Sequence, residues 1–177
     1  MLPPTRFVTD SSLERLARRL RFLGHDVLTH RGARLEELFD DAARHGRTVL
    51  TSSARHPKRW AGVAAVQVGR DDLAAAVRAI AATHAPASAP WSRCPRCNVA
   101  LHARSAFEAR GEVPGRVTRI PGVTFRSCPS CGQWFWPGGH VARLSAWFED
   151  VLGRPVASFG PNATDAALPL DDEPTDP

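Results

Sequence analysis

The chain has 177 residues, 43% of them hydrophobic and 23% charged, which excludes a wholly disordered or fibrous protein and leaves room for one domain plus a small second module. Its 23 basic side chains outnumber 18 acidic ones, and all but Lys58 are arginine; residues 1–153 carry a net charge of +9 and the last 24 residues one of −4. No apolar run reaches the roughly 18–20 residues of a membrane span, and MLPPTRFVTD lacks the layout of a secretory leader, so a cytoplasmic protein without membrane attachment is expected.

Arg6 to Thr9, apolar and partly β-branched, reads as a first strand running into Asp10. Ser11 stands three residues before Glu14, a capping-box spacing, and Leu13, Leu16, Ala17, Leu20 and Leu23 then recur at helical intervals until Gly24. His25 to Thr29 predicts a second strand, Leu35 to His45 a second helix closed by Gly46, and Arg47 to Thr51 a third strand. Val63 to Val68 predicts a fourth strand, and Asp71 to Thr83 a third helix whose first turn Asp71 and Asp72 suit electrostatically. Strands alternating with helices imply an α/β domain with a parallel sheet flanked by helices.

Ala85 to Pro90 has linker composition, and the pattern changes after it. Arg116 to Ile120 and Gly122 to Arg126 read as two short strands, and His140 to Leu152 as a last amphipathic helix. The expected division is an α/β domain over 1–84, a linker over 85–90, a small module with its helix over 91–153, and an acidic, proline-rich tail over 154–177 that has little to bury and is expected to be largely disordered.

The strongest chemical signal is Cys94-Pro-Arg-Cys97 and Cys128-Pro-Ser-Cys131, two near-identical knuckles with 30 residues between them. Each turn can aim two thiolates at one ion, and two turns complete the four-sulfur tetrahedron that zinc favours. With no position left for water the site is structural, a zinc ribbon; iron could use the same ligands. A redox dithiol is the weaker reading, because neither pair stands between a strand and a helix. His140 follows closely enough to substitute as a ligand but is not needed.

The strand ending in Asp10, the run SSLERLARRLRFLGHDVLTH, the strand RTVLTSS, the knuckle SRCPRCNVAL and the second knuckle followed by WFWPGGH come in an order that resembles the Mut7-C RNase family, a PIN-like nuclease domain joined to a zinc ribbon. The resemblance covers about residues 6 to 152. It implies a metal-dependent ribonuclease in which carboxylates at the C-terminal edge of the sheet hold Mg²⁺ or Mn²⁺, since hard cations can clamp the oxygens of a phosphodiester. Asp10 matches that role, with Glu36 or Glu37 as its partner at the start of the second helix. One departure stands out: where the family tends to end its third strand in Leu-Thr-Arg-Asp, this chain has Leu50-Thr51-Ser52-Ser53. Asp26 resembles a family position taken as structural.

The arginines point to a nucleic acid as the partner, which the resemblance implies is RNA. Arg15, Arg18 and Arg19 share the polar side of the first helix with Arg21 flanking, Arg47 lies on the third strand, and Arg96 sits inside the first knuckle. Guanidinium groups pair bidentately with phosphate, although a basic helix face is often merely solvated. Trp134, Phe135 and Trp136 read either as ribbon packing, the simpler account, or as a platform for stacking bases. Two functional readings follow: a ribonuclease, or a non-catalytic RNA-binding or adaptor protein on the same scaffold. A third is an interaction module whose acidic tail folds back on the basic body.

Overall fold

The computed structural model describes residues 4–32 and 34–160; the acidic residues of the expected tail, all beyond 160, lie outside the described residues. Strands β1 (Arg6–Asp10), β2 (Asp26–His30), β3 (Thr48–Thr51) and β4 (Ala65–Gln67) form a wholly parallel sheet in the order β2-β1-β3-β4. Helices α1 (Glu14–Phe22), α2 (Leu35–His45) and α3 (Leu73–Thr83) connect and follow them. Both faces of the sheet are covered, so its central strands bury consecutive residues, Phe7 to Thr9 on β1 and Val49 to Thr51 on β3. Phe7 faces a core with Leu16, Leu20, Val77 and Ile80, while its neighbour Val8 turns to the opposite core with Leu38, Phe39 and Ala42.

The chain enters α1 differently from the expected capping box. Oδ1 of Asp10 accepts a hydrogen bond from the Ser12 backbone N–H at 2.7 Å and opens a 3-10 turn over Ser11–Leu13. Glu14 is instead drawn to Arg18 at 2.9 Å and Arg21 at 3.4 Å. At the far end, Gly24 adopts φ +91, and the 85–90 segment crosses it so closely that a Cβ there would stand 2.0 Å from the Ser88 carbonyl oxygen. That segment is stitched down by Ala87 and Ser88 N–H bonds to the Gly24 carbonyl, both at 3.1 Å.

After it comes a three-stranded antiparallel sheet, β5 (His102–Arg104), β6 (Phe125–Ser127) and β7 (Trp134–Phe135), with a helical turn α4 (Gly115–Thr118) between β5 and β6. The expected strand at Arg116 to Ile120 is this turn. It follows Pro114, and it buries Val117 against Ala109, Val113 and Phe125 in a core of its own.

Helix α5 (Gly139–Leu152) does not stay with the ribbon. Leu144, Phe148 and Val151 enter the larger core together with Trp91, and Arg19 of α1 lies 5.1 Å over the Trp147 ring. Residues 154–160 continue the packing: Phe159 is buried, and the Trp91 indole donates to the Ala157 carbonyl at 2.8 Å. One hydrophobic core thus spans the parallel sheet, α5 and the first residues of the expected tail. Among the described residues no helix is long and apolar enough to cross a membrane.

Candidate functional site

Cys94, Cys97, Cys128 and Cys131 converge with all four Sγ atoms within 4.8 Å of one another, and the Cys94 and Cys131 sulfurs stand 3.9 Å apart. A regular tetrahedron with metal–sulfur bonds of about 2.3 Å has edges of about 3.8 Å, so the cluster fits zinc. Positive-φ residues after each pair, Asn98 at φ 64 and Gly132 at φ 71, let the knuckles turn back on themselves. Their N–H groups donate to the carbonyls of Cys94 and Cys128, both at 2.9 Å. Burial pushes the Cys94 thiol up to about 12, whereas the Gln133 backbone N–H holds Cys131 down to about 7. Four sulfurs this close cannot all ionise beside one another without a cation to neutralise them.

The first knuckle is bolted to the sheet. Asn98 Oδ1 accepts from the Val27 N–H at 3.0 Å, and its amide donates to Asp26 at 2.8 Å. Arg21, only 2% exposed, reaches from α1 to three places: the Val27 carbonyl at 2.9 Å, the Pro95 carbonyl at 2.7 Å and the Thr29 hydroxyl at 2.6 Å. Since β2 is an edge strand, the knuckle covers backbone groups that would otherwise be open to another chain. Sequence reasoning missed both roles. Arg21 was hidden by its charge, although it follows the buried Leu20 and stands one turn from the buried Ala17.

The second region is the C-terminal edge of the parallel sheet. β1 and β3 are adjacent, while the chain leaves β1 towards β2 on one side and β3 towards β4 on the other. Asp10 therefore stands at the switch point where α/β sheets place ligands. The ends of β3 and β4 flank an open cavity of about 460 Å³, lined by Ser52, Gln67, Val68, Gly69, Arg70 and Asp71. Asp72 N-caps α3 through a 2.8 Å bond from the Ala75 N–H.

Among the described residues Asp10, Glu36 and Glu37 are not brought together as a group of three carboxylates. Both oxygens of Glu37 are used at the start of α2: Oε2 takes the Arg34 N–H at 2.8 Å and Oε1 faces the Arg34 guanidinium at 3.3 Å. That backbone bond and the adjacent arginine hold its carboxyl below the usual range. Glu36 pairs with Arg55 at 3.1 Å, and the Arg55 N–H donates to the Ser53 hydroxyl at 3.1 Å. Among the described residues the four cysteines are the one group of three or more metal-ligating side chains brought together.

The arginines also divide. Arg15 and Arg96 are exposed, and Arg18 is exposed but paired with Glu14. Arg19 is half-buried under Trp147. Arg47 is structural: it binds Asp26 at 2.8 Å and the Phe7 carbonyl at 3.1 Å. Trp134 and Trp136 pack against the ribbon's own core and Phe135 against the larger one, which matches the packing reading.

A parallel four-strand sheet with a switch-point aspartate and a docked four-cysteine module defines an α/β protein bearing a cluster that could hold a metal ion. Residues 5–148 match the Mut7-C RNAse domain, and the chain belongs to that family. It is also similar to the exonuclease mut-7 homolog of Homo sapiens, 44% identical over 41 residues, which is 23% of this chain and 5% of that protein. The chain thus spans a small part of the curated relative it matches. No solved structure matches it.

Proposed function

We propose that this chain is a ribonuclease-type protein that acts on RNA at the C-terminal edge of its parallel sheet, with zinc in the four-cysteine cluster as a structural ion. The observation that carries the reading is the position of Asp10 at the sheet's switch point in a chain of the Mut7-C RNAse family. The zinc shell is closed by protein, so its part is to hold the ribbon on β2 and not to activate water.

A divalent ion at the sheet edge would be held by Asp10 and Glu36; Glu37 does not fit, because both its oxygens serve the start of α2. Such an ion supplies Lewis acidity to a phosphodiester. Glu36 is available at low cost: its partner Arg55 is 70% exposed, and solvent-exposed pairs of this kind contribute about 0–1 kcal/mol. An RNA phosphate competes with Glu36 for Arg55, and Arg70 beside the cavity offers a second guanidinium.

The second reading, RNA binding without cleavage, is favoured by Ser53. Its hydroxyl is spent on the turn after β3 and supplies no negative charge where the family's usual pattern has a carboxylate. The test is to incubate the protein with labelled single-stranded RNA in Mn²⁺ or chelator, beside an Asp10→Asn variant. Mn²⁺-dependent cleavage lost in the variant is expected; binding without cleavage establishes the second reading, and cleavage surviving both chelator and variant refutes the metal edge.

A further inference from the structure

Among the described residues three large apolar side chains stand exposed, and one is aromatic: Phe107, 74% exposed, on the insertion between the two knuckles. Its exposure is not a failure of the insertion to fold. Ala109, Val113, Val117 and Phe125 form a buried core beside it, from which Phe107 is left out.

The turn that carries it is locked. The Ser105 N–H and hydroxyl both donate to Glu108 Oε2, at 2.8 and 2.9 Å, and the Glu108 N–H returns to the Ser105 hydroxyl at 3.2 Å. Glu108 also receives Arg104 at 2.9 Å, and Arg104 is tied to Ser127 of β6 at 2.8 Å, next to Cys128. Phe107 lies between the two ends of this reciprocal cap. Its carbonyl accepts the Arg110 N–H at 3.1 Å, which folds the Arg110 guanidinium to 5.3 Å from the Phe107 ring centroid.

The surroundings are positive. Arg110, Arg116 and Arg119 are exposed on the same insertion and form no ion pair among the described residues, while of the insertion's two acidic residues Glu108 is spent on Arg104 and the exposed Glu112 alone opposes them. An exposed aromatic ring on a locked turn, backed by a guanidinium and with further unpaired arginines on the same insertion, is the chemistry that stacks an unpaired base and tracks its phosphates. A duplex offers no exposed base face for such a ring.

We propose that Phe107 and Arg110 form a base-stacking platform for single-stranded RNA, with Arg116 and Arg119 contacting its backbone, set on the ribbon and apart from the sheet edge. This rests on the RNA reading above and adds where a single strand is gripped.

The test is fluorescence anisotropy on the full chain, metal content verified, with a labelled short oligoadenylate and an RNA duplex. Phe107→Ala is expected to weaken single-strand binding about tenfold while duplex binding moves less than about twofold. Phe107→Trp is expected to keep the affinity and to add indole fluorescence that the oligoadenylate quenches. Arg110→Gln is expected to weaken single-strand binding and flatten its salt dependence. A Phe107→Ala variant that binds the single strand like the parent, or a Phe107→Trp variant with no added quenching, overturns the platform while leaving the RNA reading intact. A parent protein with no affinity for either RNA overturns both.

Discussion

Asn98 and Val27, 71 residues apart in sequence, are joined by a 3.0 Å hydrogen bond that closes the edge of the parallel sheet with the first cysteine knuckle. The same side chain donates to Asp26, which Arg47 also holds, so one amide links knuckle, edge strand and the start of β3. Replacing Asn98 by Ala leaves the Val27 N–H without its partner, removes one of the two bonds to Asp26 Oδ1, which Arg47 alone then holds, and puts a residue less suited to φ 64 in the turn. We expect a loss of about 2–4 kcal/mol in chemical denaturation. Asn98→Asp is expected to keep the Val27 bond but to repel Asp26, giving a loss that shrinks in acid as Asp26 is protonated. A fully stable Asn98→Ala protein would show that the knuckle is not held by this contact.

Metal removal should reveal which elements depend on the cluster. Since ligation free energy is folding free energy at such sites, chelation or Cys94→Ser is expected to lower the melting temperature and open amide exchange across the two knuckles and β5 to β7. Helix α5 is expected to stay protected, because Leu144, Phe148 and Val151 lie in the core of the parallel sheet and Arg78 holds the Val151 carbonyl at 2.7 Å. Exchange measured by mass spectrometry checks this; simultaneous loss of α5 would mean that ribbon and sheet unfold as one unit.

These couplings explain what could be read from the residues alone. Helix α2 was legible to both ends, Leu35 and His45, because apolar periodicity runs straight into Gly46, which takes φ +61 as the cap requires. The four cysteines were legible because their spacing is itself the ligand geometry. Strands β5 and β7 were not, since three and two residues are too short to show alternation. Arg126, at the end of the expected strand Gly122 to Arg126, is buried: it donates to the Trp91 and Gly160 carbonyls and lies 4.6 Å over the Phe159 ring. Its partners come from the linker region and the end of the described chain, and no local pattern announces them. Nor does local pattern announce that Glu37 is consumed by the start of its own helix.

His25 gives the fold a dependence on pH. It is 1% exposed, and burial, with His84 nearby, lowers its pKa from 6.5 to about 4. The folded state keeps the imidazole neutral while the unfolded chain takes up a proton below pH 6.5, so stability falls as pH drops from 6.5 towards 4. Between pH 7 and pH 5 the loss is expected to be about 2 kcal/mol. Asp26 acts in a lower window: burial alone would raise its pKa, but the bonds from Arg47 and Asn98 outweigh that and hold it below 3.8. Its contribution persists above that value and is lost only as pH falls further. Urea titrations of His25→Phe should show a flatter slope between pH 5 and pH 7; an unchanged slope would assign the dependence to another group.

Ser53 tests whether the sheet edge is short of one carboxylate. The Ser53 hydroxyl accepts the Arg55 N–H two residues on, and an aspartate can make the same turn through a carboxylate oxygen, so Ser53→Asp should fold without strain. It would add a negative charge after β3, beside the Arg55 that now neutralises Glu36, drawing that guanidinium away and freeing Glu36. We expect Mn²⁺-dependent RNA cleavage to rise at least about tenfold, the equivalent of about 1.4 kcal/mol in transition-state stabilisation, and to vanish when Asp10→Asn is added. A rise that survives Asp10→Asn would move the chemistry away from the switch point. No rise, in a protein that still binds RNA, would mean that the edge receives its strand through arginines alone and that the scaffold has kept binding without hydrolysis.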